Sequence, residues 1–211
     1  MKIDDNRARQ LRELHESRKD AIRARLADFS RVPASEYFYE LAYCLMTPQS
    51  SAVNADNVVT LLRAHNFQDV GFNPEEFLRK KEHYIRFHKN KAQYLLRTRE
   101  MLNEILSFLS NGHSSADARE WLVKNIKGLG YKEATHFLRN VGRNDGLAIL
   151  DRHILRNLKR YGAIRAIPSS LSKKKYLAIE KRFQQFADVV AISLDELDLL
   201  FWSMETGEIR K

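Results

Sequence analysis

The residues of this sequence best suited to chemistry are a lysine and an aspartate that follow a glycine-rich turn. The segment IKGLGYK (126–132) lies between two stretches with helical spacing, and Asp151 comes nineteen residues after Lys132. A neutral amine can act as a nucleophile, and a carboxylate can stabilise positive charge that develops nearby. Most lysines are solvated helix residues and Asp151 could be an ordinary N-cap, but their position after the turn makes Lys132 the candidate nucleophile and Asp151 its partner.

The turn before Lys132 is also suited to hold an anion. Gly128 and Gly130 provide backbone freedom and remove side chains where another molecule must approach, while Leu129 can point inward to pin the turn. Backbone N–H groups at the start of the following helix can then bind an anion. Together with Lys127, this arrangement predicts a contact to a DNA phosphate that does not depend on base sequence.

These residues resemble a known motif. The sequence IKGLGYKEATHFL (126–138) resembles the helix-hairpin-helix of the base-excision DNA glycosylases, with Lys132 where their bifunctional members carry the nucleophile. LDRHI (150–154) resembles the aspartate motif of the same superfamily. The resemblance implies a DNA glycosylase and abasic-site lyase, in which the lysine attacks deoxyribose C1′ and a Schiff base decays by β-elimination. Asp151 would stabilise the positive charge on the sugar.

Cysteine content and length narrow the subfamily. Cys44 is the only cysteine, so the chain cannot build the four-cysteine iron–sulfur loop of the endonuclease III type. Adenine-removing relatives generally lack the hairpin lysine. The length of 211 residues, the sequence GLGYKEATHFLRNVG (128–142) followed by LAILDRHIL (147–155), and the end at Lys211 together resemble the compact 8-oxoguanine DNA glycosylases of archaea and some bacteria. That resemblance implies excision of 8-oxoguanine in base excision repair.

The same resemblance implies a pocket for the damaged base. Lys211 and Trp202 would contact the oxidised base, Phe87 would stack on its opposite face, and Gln49 lies in a polar turn near the DNA or the pocket. The lesion carries N7–H where guanine has an acceptor, so the pocket needs an acceptor, and the terminal carboxylate is a candidate. Core packing remains an alternative for Trp202 and Phe87, as does a frayed tail for residues 209–211.

Composition favours a nucleic-acid partner. The chain carries 36 Lys and Arg against 27 Asp and Glu, a formal charge of +9, and we expect it to bind double-stranded DNA containing a damaged base. No signal-peptide core and no apolar stretch of about 18 residues occur, so an intracellular location in the cytoplasm or nucleoid, without membrane association, is expected. Nothing in the sequence demands more than a monomer. The histidines lack ligand spacing. No catalytic metal and no cofactor are expected, and a structural monovalent cation at the hairpin stays open.

Helical spacing along most of the chain predicts an all-α protein with the two-lobed helical glycosylase fold. Residues 1–35 are expected to form N-terminal helices that pack with the C-terminal lobe. Residues 36–145 would form a helical barrel ending in the hairpin at about 119–141, and residues 146–211 the C-terminal lobe with Asp151 and the base-recognition segment. DNA would lie across the cleft between the lobes. Local patterns predict one helix over 89–109 and a capping box at Ser193 and Glu196.

Two other functions remain open at this point. The same scaffold could remove another lesion, such as an oxidised pyrimidine or an alkylated purine. Alternatively, the chain could be a non-catalytic helix-hairpin-helix module that binds DNA, in which case Lys132→Gln would leave its function intact.

Overall fold

The computed structural model describes residues 4–209, which form twelve α-helices and no β-strand. The prediction of an all-α protein is confirmed. Short 3₁₀ turns occupy 34–36 and 81–83. Within the described residues, no helix is long and apolar enough to cross a membrane. The helices are α1 (Asp5–Ser30), α2 (Tyr37–Met46), α3 (Ala52–Ala64), α4 (Phe67–Val70), α5 (Glu75–Arg79), α6 (His88–Glu100), α7 (Leu102–Ser110), α8 (Ser115–Asn125), α9 (Tyr131–Asn140), α10 (Arg152–Arg160), α11 (Lys173–Val190) and α12 (Leu194–Thr206).

Side-chain caps fix the starts of several helices. Ser114 caps α8, Ser172 caps α11 and Ser193 caps α12, each by accepting a backbone N–H of the first turn. At α12, the Ser193 hydroxyl oxygen accepts the N–H of Glu196 at 3.3 Å and the hydroxyl donates to the Glu196 carboxylate at 3.1 Å. The N-cap at Ser193 is confirmed, whereas the Glu196 side chain accepts the Ser193 hydroxyl and not the backbone N–H that a capping box would use.

The single helix predicted over 89–109 is wrong, because the chain breaks at Met101 into α6 and α7. Arg99 fixes the last turn of α6, since its guanidinium donates to the carbonyl oxygens of Gln68 and Asp69. Buried apolar residues continue at helical spacing on both sides of the break. The sequence pattern therefore carries no signal for a one-residue interruption.

Residues 32–141 form one compact unit with α2 at its centre. Every residue of α2 from Phe38 to Met46 is buried, and the helix packs against α3, α6 and α9. The buried Asn140 amide donates to the Glu40 carboxylate, with 3.0 Å between Nδ2 and Oε2. This hydrogen bond ties α2 to α9, the helix that carries Lys132.

A second compact unit combines residues 4–31 with residues 142–209. Here α1 packs against α11 and α12, and α10 packs against α12. The ring of Phe201 lies 5.6 Å from that of Tyr161 and 6.0 Å from that of Phe183, measured between centroids. These aromatic contacts form part of the core against which α10, the helix that follows Asp151, is packed.

Two glycines of this second unit share a backbone conformation but differ in surroundings. Gly142 has φ +67° and Gly146 has φ +71°. A Cβ at Gly142 would lie 3.0 Å from the amide nitrogen of Ser30 and closer still to its Cα, whereas a Cβ at Gly146 would meet no atom within 4 Å. Main chain cannot yield to the added atom as a flexible side chain would.

We expect Gly142→Ala to lower the free energy of unfolding by clearly more than Gly146→Ala. Each substitution costs about 1–2 kcal/mol because an L-residue is strained in the left-handed region. Only Gly142→Ala adds a clash with main chain. Urea denaturation of the two variants measures the difference, and equal losses would contradict this account of Gly142.

Candidate active site

A tight turn joins α8 to α9. The chain leaves α8 through Ile126, which is buried and extended, and Gly128 then adopts φ +98°. A Cβ at Gly128 would lie 2.5 Å from Cδ2 of the Tyr94 ring. Leu129 is buried, as predicted, and anchors the turn to the core. Glycine at position 128 is therefore required both by the left-handed backbone and by the packing of Tyr94.

An acidic residue of α9 closes the turn. Oε2 of Glu133 accepts the N–H of Gly130 at 3.3 Å, and the N–H of Leu129 donates to the carbonyl oxygen of Ile126 at 3.2 Å. These two amides are thus occupied within the hairpin, while Lys127 and Gly128 are exposed. Sequence analysis missed Glu133, although an acid at the third helical position is the capping-box pattern that could have identified it.

Lys132 lies in the first turn of α9, and its side chain is 25% exposed. Its Nζ is 3.9 Å from Oε1 of Glu133, whose side chain is 16% exposed. Glu133 therefore contacts both the backbone of the turn and the candidate nucleophile. A carboxylate beside an amine can accept its proton.

The first turn of α9 is held against α8 by side chains at its base. The Tyr131 hydroxyl donates to the Glu120 carboxylate, at 2.6 and 2.7 Å from the two oxygens. The Arg119 guanidinium lies 5.2 Å from the centroid of the Tyr131 ring. Thr135 donates its hydroxyl to the carbonyl oxygen of Tyr131 at 2.8 Å. These contacts fix the position from which Lys132 projects.

Lys91 is a buried cation that sequence analysis missed. It is 4% exposed, and its Nζ donates to the carbonyl oxygens of Met46 and Pro48, at 2.7 Å each, and to Oγ of Ser50 at 3.2 Å. Lys91 lies four residues before the buried Leu95 on the same side of α6. A charged residue at an apolar position of the helical pattern was the available signal.

Burial lowers the pKa of Lys91 to about 8. Two charged groups of α9 act on it in opposite directions, since Glu133 raises this pKa and Lys132 lowers it. Burial disfavours the charged form of any lysine; a nearby opposite charge offsets that effect and a nearby like charge adds to it. Lys91 thus belongs to the same electrostatic environment as the candidate nucleophile.

Gln49 and Phe87 both have left-handed backbone conformations, with φ +56° and +59°. Gln49 is exposed and Phe87 is 49% exposed, so Phe87 is not the core residue considered from sequence. The Arg86 guanidinium lies 4.9 Å from the centroid of the Phe87 ring. The Arg86 N–H donates to Oγ of Ser50 at 3.0 Å, which links the two segments. Non-glycine residues in this conformation are strained, and such strain concentrates at functional sites.

Asp151 is the N-cap of α10, and both of its carboxylate oxygens accept hydrogen bonds. Oδ1 accepts the N–H groups of His153 and Ile154 at 2.8 Å each, and Oδ2 accepts the indole N–H of Trp202 at 3.2 Å. Trp202 is partly exposed, and its ring meets that of His153 edge-on at 5.9 Å. The structure thus joins two residues selected separately from sequence, and it fixes the orientation of the Asp151 carboxylate.

The residues selected from sequence are distributed over both compact units. Lys211 lies outside the described residues. Among residues 4–209, no group of three His, Cys, Asp or Glu side chains could hold a metal ion. The monovalent cation considered for the hairpin stays a prediction. The unit of residues 32–141 contains Gln49, Phe87, Lys127, Gly128, Gly130 and Lys132, and the other unit contains Asp151 and Trp202.

Comparison with known proteins gives consistent matches over nearly the whole chain. The family model for 8-oxoguanine DNA glycosylase matches residues 22–192. An 8-oxoguanine DNA glycosylase/AP lyase of Fusobacterium nucleatum is 39% identical, with 96% of each chain covered. The crystal structure of the 8-oxoguanine DNA glycosylase of Thermotoga maritima has a TM-score of 0.86 at 31% identity, covering 98% of this chain and 99% of that one.

One further solved structure contains DNA. It is the Methanocaldococcus jannaschii 8-oxoguanine glycosylase/lyase in complex with a 15mer DNA containing 8-oxoguanine, with a TM-score of 0.84 at 36% identity. The match covers 96% of this chain and 99% of that one. The resemblance inferred from the hairpin and the aspartate motif is confirmed, and the chain belongs to the helix-hairpin-helix family of 8-oxoguanine DNA glycosylases.

Proposed function

We propose that this protein excises 8-oxoguanine from double-stranded DNA and then cleaves the strand at the abasic site. The observation that carries this proposal is Lys132, which projects from the first turn of α9 directly after the glycine hairpin. Family membership adds the substrate, because the relatives that match along their whole length are named 8-oxoguanine DNA glycosylase/AP lyase. Because both glycosylase and lyase activities are named for these relatives, a purely DNA-binding module is disfavoured.

The hairpin would grip the DNA backbone. Lys127 and Gly128 are exposed at the turn, so a phosphate could approach the main chain there from the solvent side. An amide N–H and a lysine ammonium are both suited to a phosphate oxygen. Such contacts hold the duplex in register without selecting a base sequence, and they make affinity dependent on salt.

The proposed reaction uses the amine of Lys132 as its nucleophile. Nζ bonds to C1′ of the damaged nucleotide while the bond from C1′ to the base breaks, and the electron pair leaves with the base. Opening of the sugar ring then gives a protonated Schiff base. Loss of a C2′ proton expels the 3′ phosphate by β-elimination, and hydrolysis releases Lys132. Glu133, 3.9 Å from Nζ, is placed to accept the proton that the attacking amine loses.

Asp151 would stabilise the positive charge that develops on the sugar as the base leaves. Three N–H donors fix its carboxylate, from His153, Ile154 and Trp202. A carboxylate oriented before the reaction needs no reorganisation when the charge appears, which is the basis of electrostatic stabilisation by a preorganised group.

Base recognition would fall to the exposed aromatic and polar groups. We propose that Phe87 and Trp202 stack on the extruded base and that Gln49 and the C-terminal Lys211 contribute polar contacts. The indole N–H of Trp202 is bound to Asp151 and the residue is partly exposed, so stacking would use the exposed part of its ring. We further propose that the protein acts as a monomer without a cofactor, in the cell compartment that holds the DNA.

Borohydride trapping tests the nucleophile. On a duplex with one 8-oxoguanine opposite cytosine, reduction of the Schiff base should leave a covalent protein–DNA adduct. Lys132→Gln should abolish it, whereas Lys181→Gln, at an exposed lysine of α11, should not. The adduct is resolved by denaturing gel electrophoresis. The lyase proposal would be wrong if Lys132→Gln still formed the adduct, or if the native chain bound the DNA but formed no adduct.

Asp151→Asn should separate the two steps of the reaction. Loss of the negative charge is expected to slow base release by about a hundredfold or more. Cleavage of a duplex with a preformed abasic site should fall much less, because the bond to the base is already broken. Single-turnover rates on the two duplexes give the comparison, and equal losses on both would remove the assigned role of Asp151.

The capping role of Asp151 should be separable from its chemistry. Asparagine caps a helix about as well as aspartate, so Asp151→Asn should keep the bonds to His153 and Ile154 and lose only the indole hydrogen bond of Trp202, at a cost of about 0.5–1.5 kcal/mol in the free energy of unfolding. Asp151→Ala also removes the acceptor of the His153 and Ile154 amides and should cost about 1 kcal/mol more. Urea denaturation compares them. A loss with Asp151→Asn as large as with Asp151→Ala would tie the carboxylate charge to the fold.

A further inference from the structure

Two short segments of the unit 32–141 carry the exposed candidates for base contact. The base-contact turn (46–50) carries Gln49 and the aromatic segment (84–87) carries Phe87, each in a left-handed conformation. Neither residue is a glycine, so neither conformation is favoured by the residue alone. Something in the surrounding structure must hold both segments.

Lys91 makes the contacts that can do so. Its ammonium has three donors, and three acceptors of the base-contact turn receive them: the carbonyl oxygens of Met46 and Pro48 and the hydroxyl of Ser50. The last two acceptors directly flank Gln49. Charge-assisted hydrogen bonds of this kind are stronger than neutral ones, and burial protects them from water.

Ser50 extends the effect of Lys91 to the second segment. Its Oγ receives one hydrogen bond from Lys91 and another from the N–H of Arg86, at 3.2 and 3.0 Å. Arg86 immediately precedes Phe87, and its guanidinium lies over the Phe87 ring. One buried ammonium is thus connected through one hydroxyl to both segments.

We infer that Lys91 is a positioning residue for recognition of the damaged base. Its ammonium holds the turn that presents Gln49, and through Ser50 it also fixes the position of this turn relative to Phe87. The inference rests on the proposed function, because it assigns Gln49 and Phe87 to the extruded base. Lys91 itself is buried, so it acts through these residues rather than by touching the base.

Protonation of Lys91 gives the inference a pH signature. Glu133 and Lys132 are the charged groups of α9 that act on it, and the base-contact turn faces it with carbonyl and hydroxyl oxygens. Burial lowers the pKa of Lys91 to about 8. A neutral amine has two donors for three acceptors, so the turn loses a hydrogen bond as pH rises through this value.

A general loss of stability would not produce the same signature. The pKa of Lys91 is lower in the folded chain than its ordinary value of 10.5, so the unfolded chain binds more protons between these pH values. This group therefore makes the folded chain more stable as pH rises above about 8. A decline in lesion recognition over that range runs opposite to its effect on folding.

The test measures lesion discrimination by a chain that cannot react. In a Lys132→Gln parent, fluorescence anisotropy gives the ratio of affinities for duplexes with 8-oxoguanine or guanine opposite cytosine, from pH 6.5 to 9.5. Loss of Lys132 raises the pKa of Lys91, so the parent should lose discrimination at somewhat higher pH than the native chain. Adding Lys91→Met should lower the ratio about tenfold at pH 7 and remove that pH-dependent decline. Titration of the DNA bases affects the parent and the Lys91→Met variant equally. Only the difference between their pH profiles is therefore assigned to Lys91.

Two further variants keep the result decisive. Ser50→Ala keeps Lys91 but removes the shared hydroxyl, and it should reduce the ratio by a smaller factor. Lys181→Met, at an exposed lysine of α11, should leave the ratio unchanged. Circular dichroism checks that each variant is folded. If Lys91→Met does not fold, the affinity ratio of Ser50→Ala tests the inference in its place.

The outcomes distinguish the inference from the function on which it rests. A parent with no preference for the lesion overturns the proposed function and the inference together. A parent that prefers the lesion, with folded Lys91→Met and Ser50→Ala variants that keep the full preference and its pH dependence, overturns the inference alone.

Discussion

The packing of the Tyr94 ring on Gly128 is the constraint from which the arrangement of the hairpin follows. Every side chain is excluded at this position, because the backbone has a left-handed φ and the Tyr94 ring occupies the place of a Cβ. The turn that results is short, so α9 begins at Tyr131 and Lys132 lies in its first turn. In the function that we propose, this partly buried amine gives the hairpin a chemical role in addition to its contact with a phosphate.

Hydrogen bonds compensate two charged groups near the hairpin, Lys91 and Glu133. The ammonium of Lys91 has all three donors occupied, and Glu133 accepts the Gly130 amide while it faces Lys132. An unpaired buried charge would be strongly destabilising. The same logic applies to Asp151, whose cap bonds and indole bond fix a carboxylate that must remain available to the substrate.

The sequence was a good guide wherever a feature depends on neighbours along the chain. The helices, the cap at Ser193 and the hairpin with Lys132 follow from local spacing and from residue types at fixed offsets, and these predictions agree with the structure. The one-residue break at Met101 was missed, because apolar periodicity continues across it. Lys91 was missed for a related reason, since a lysine in a helix is ordinarily solvated and its acceptors lie more than forty residues away.

By itself, the sequence determined the fold class, the two motifs and the family, because each is written in short patterns that a helical chain must follow locally. Only the tertiary structure decided that Trp202 donates to Asp151, that Phe87 is exposed on a strained backbone and that Lys91 holds the turn of Gln49. Each of these facts is a contact or an exposure created by packing between helices distant in sequence. Such contacts depend on where a side chain lies in three dimensions, which residue type and spacing do not specify.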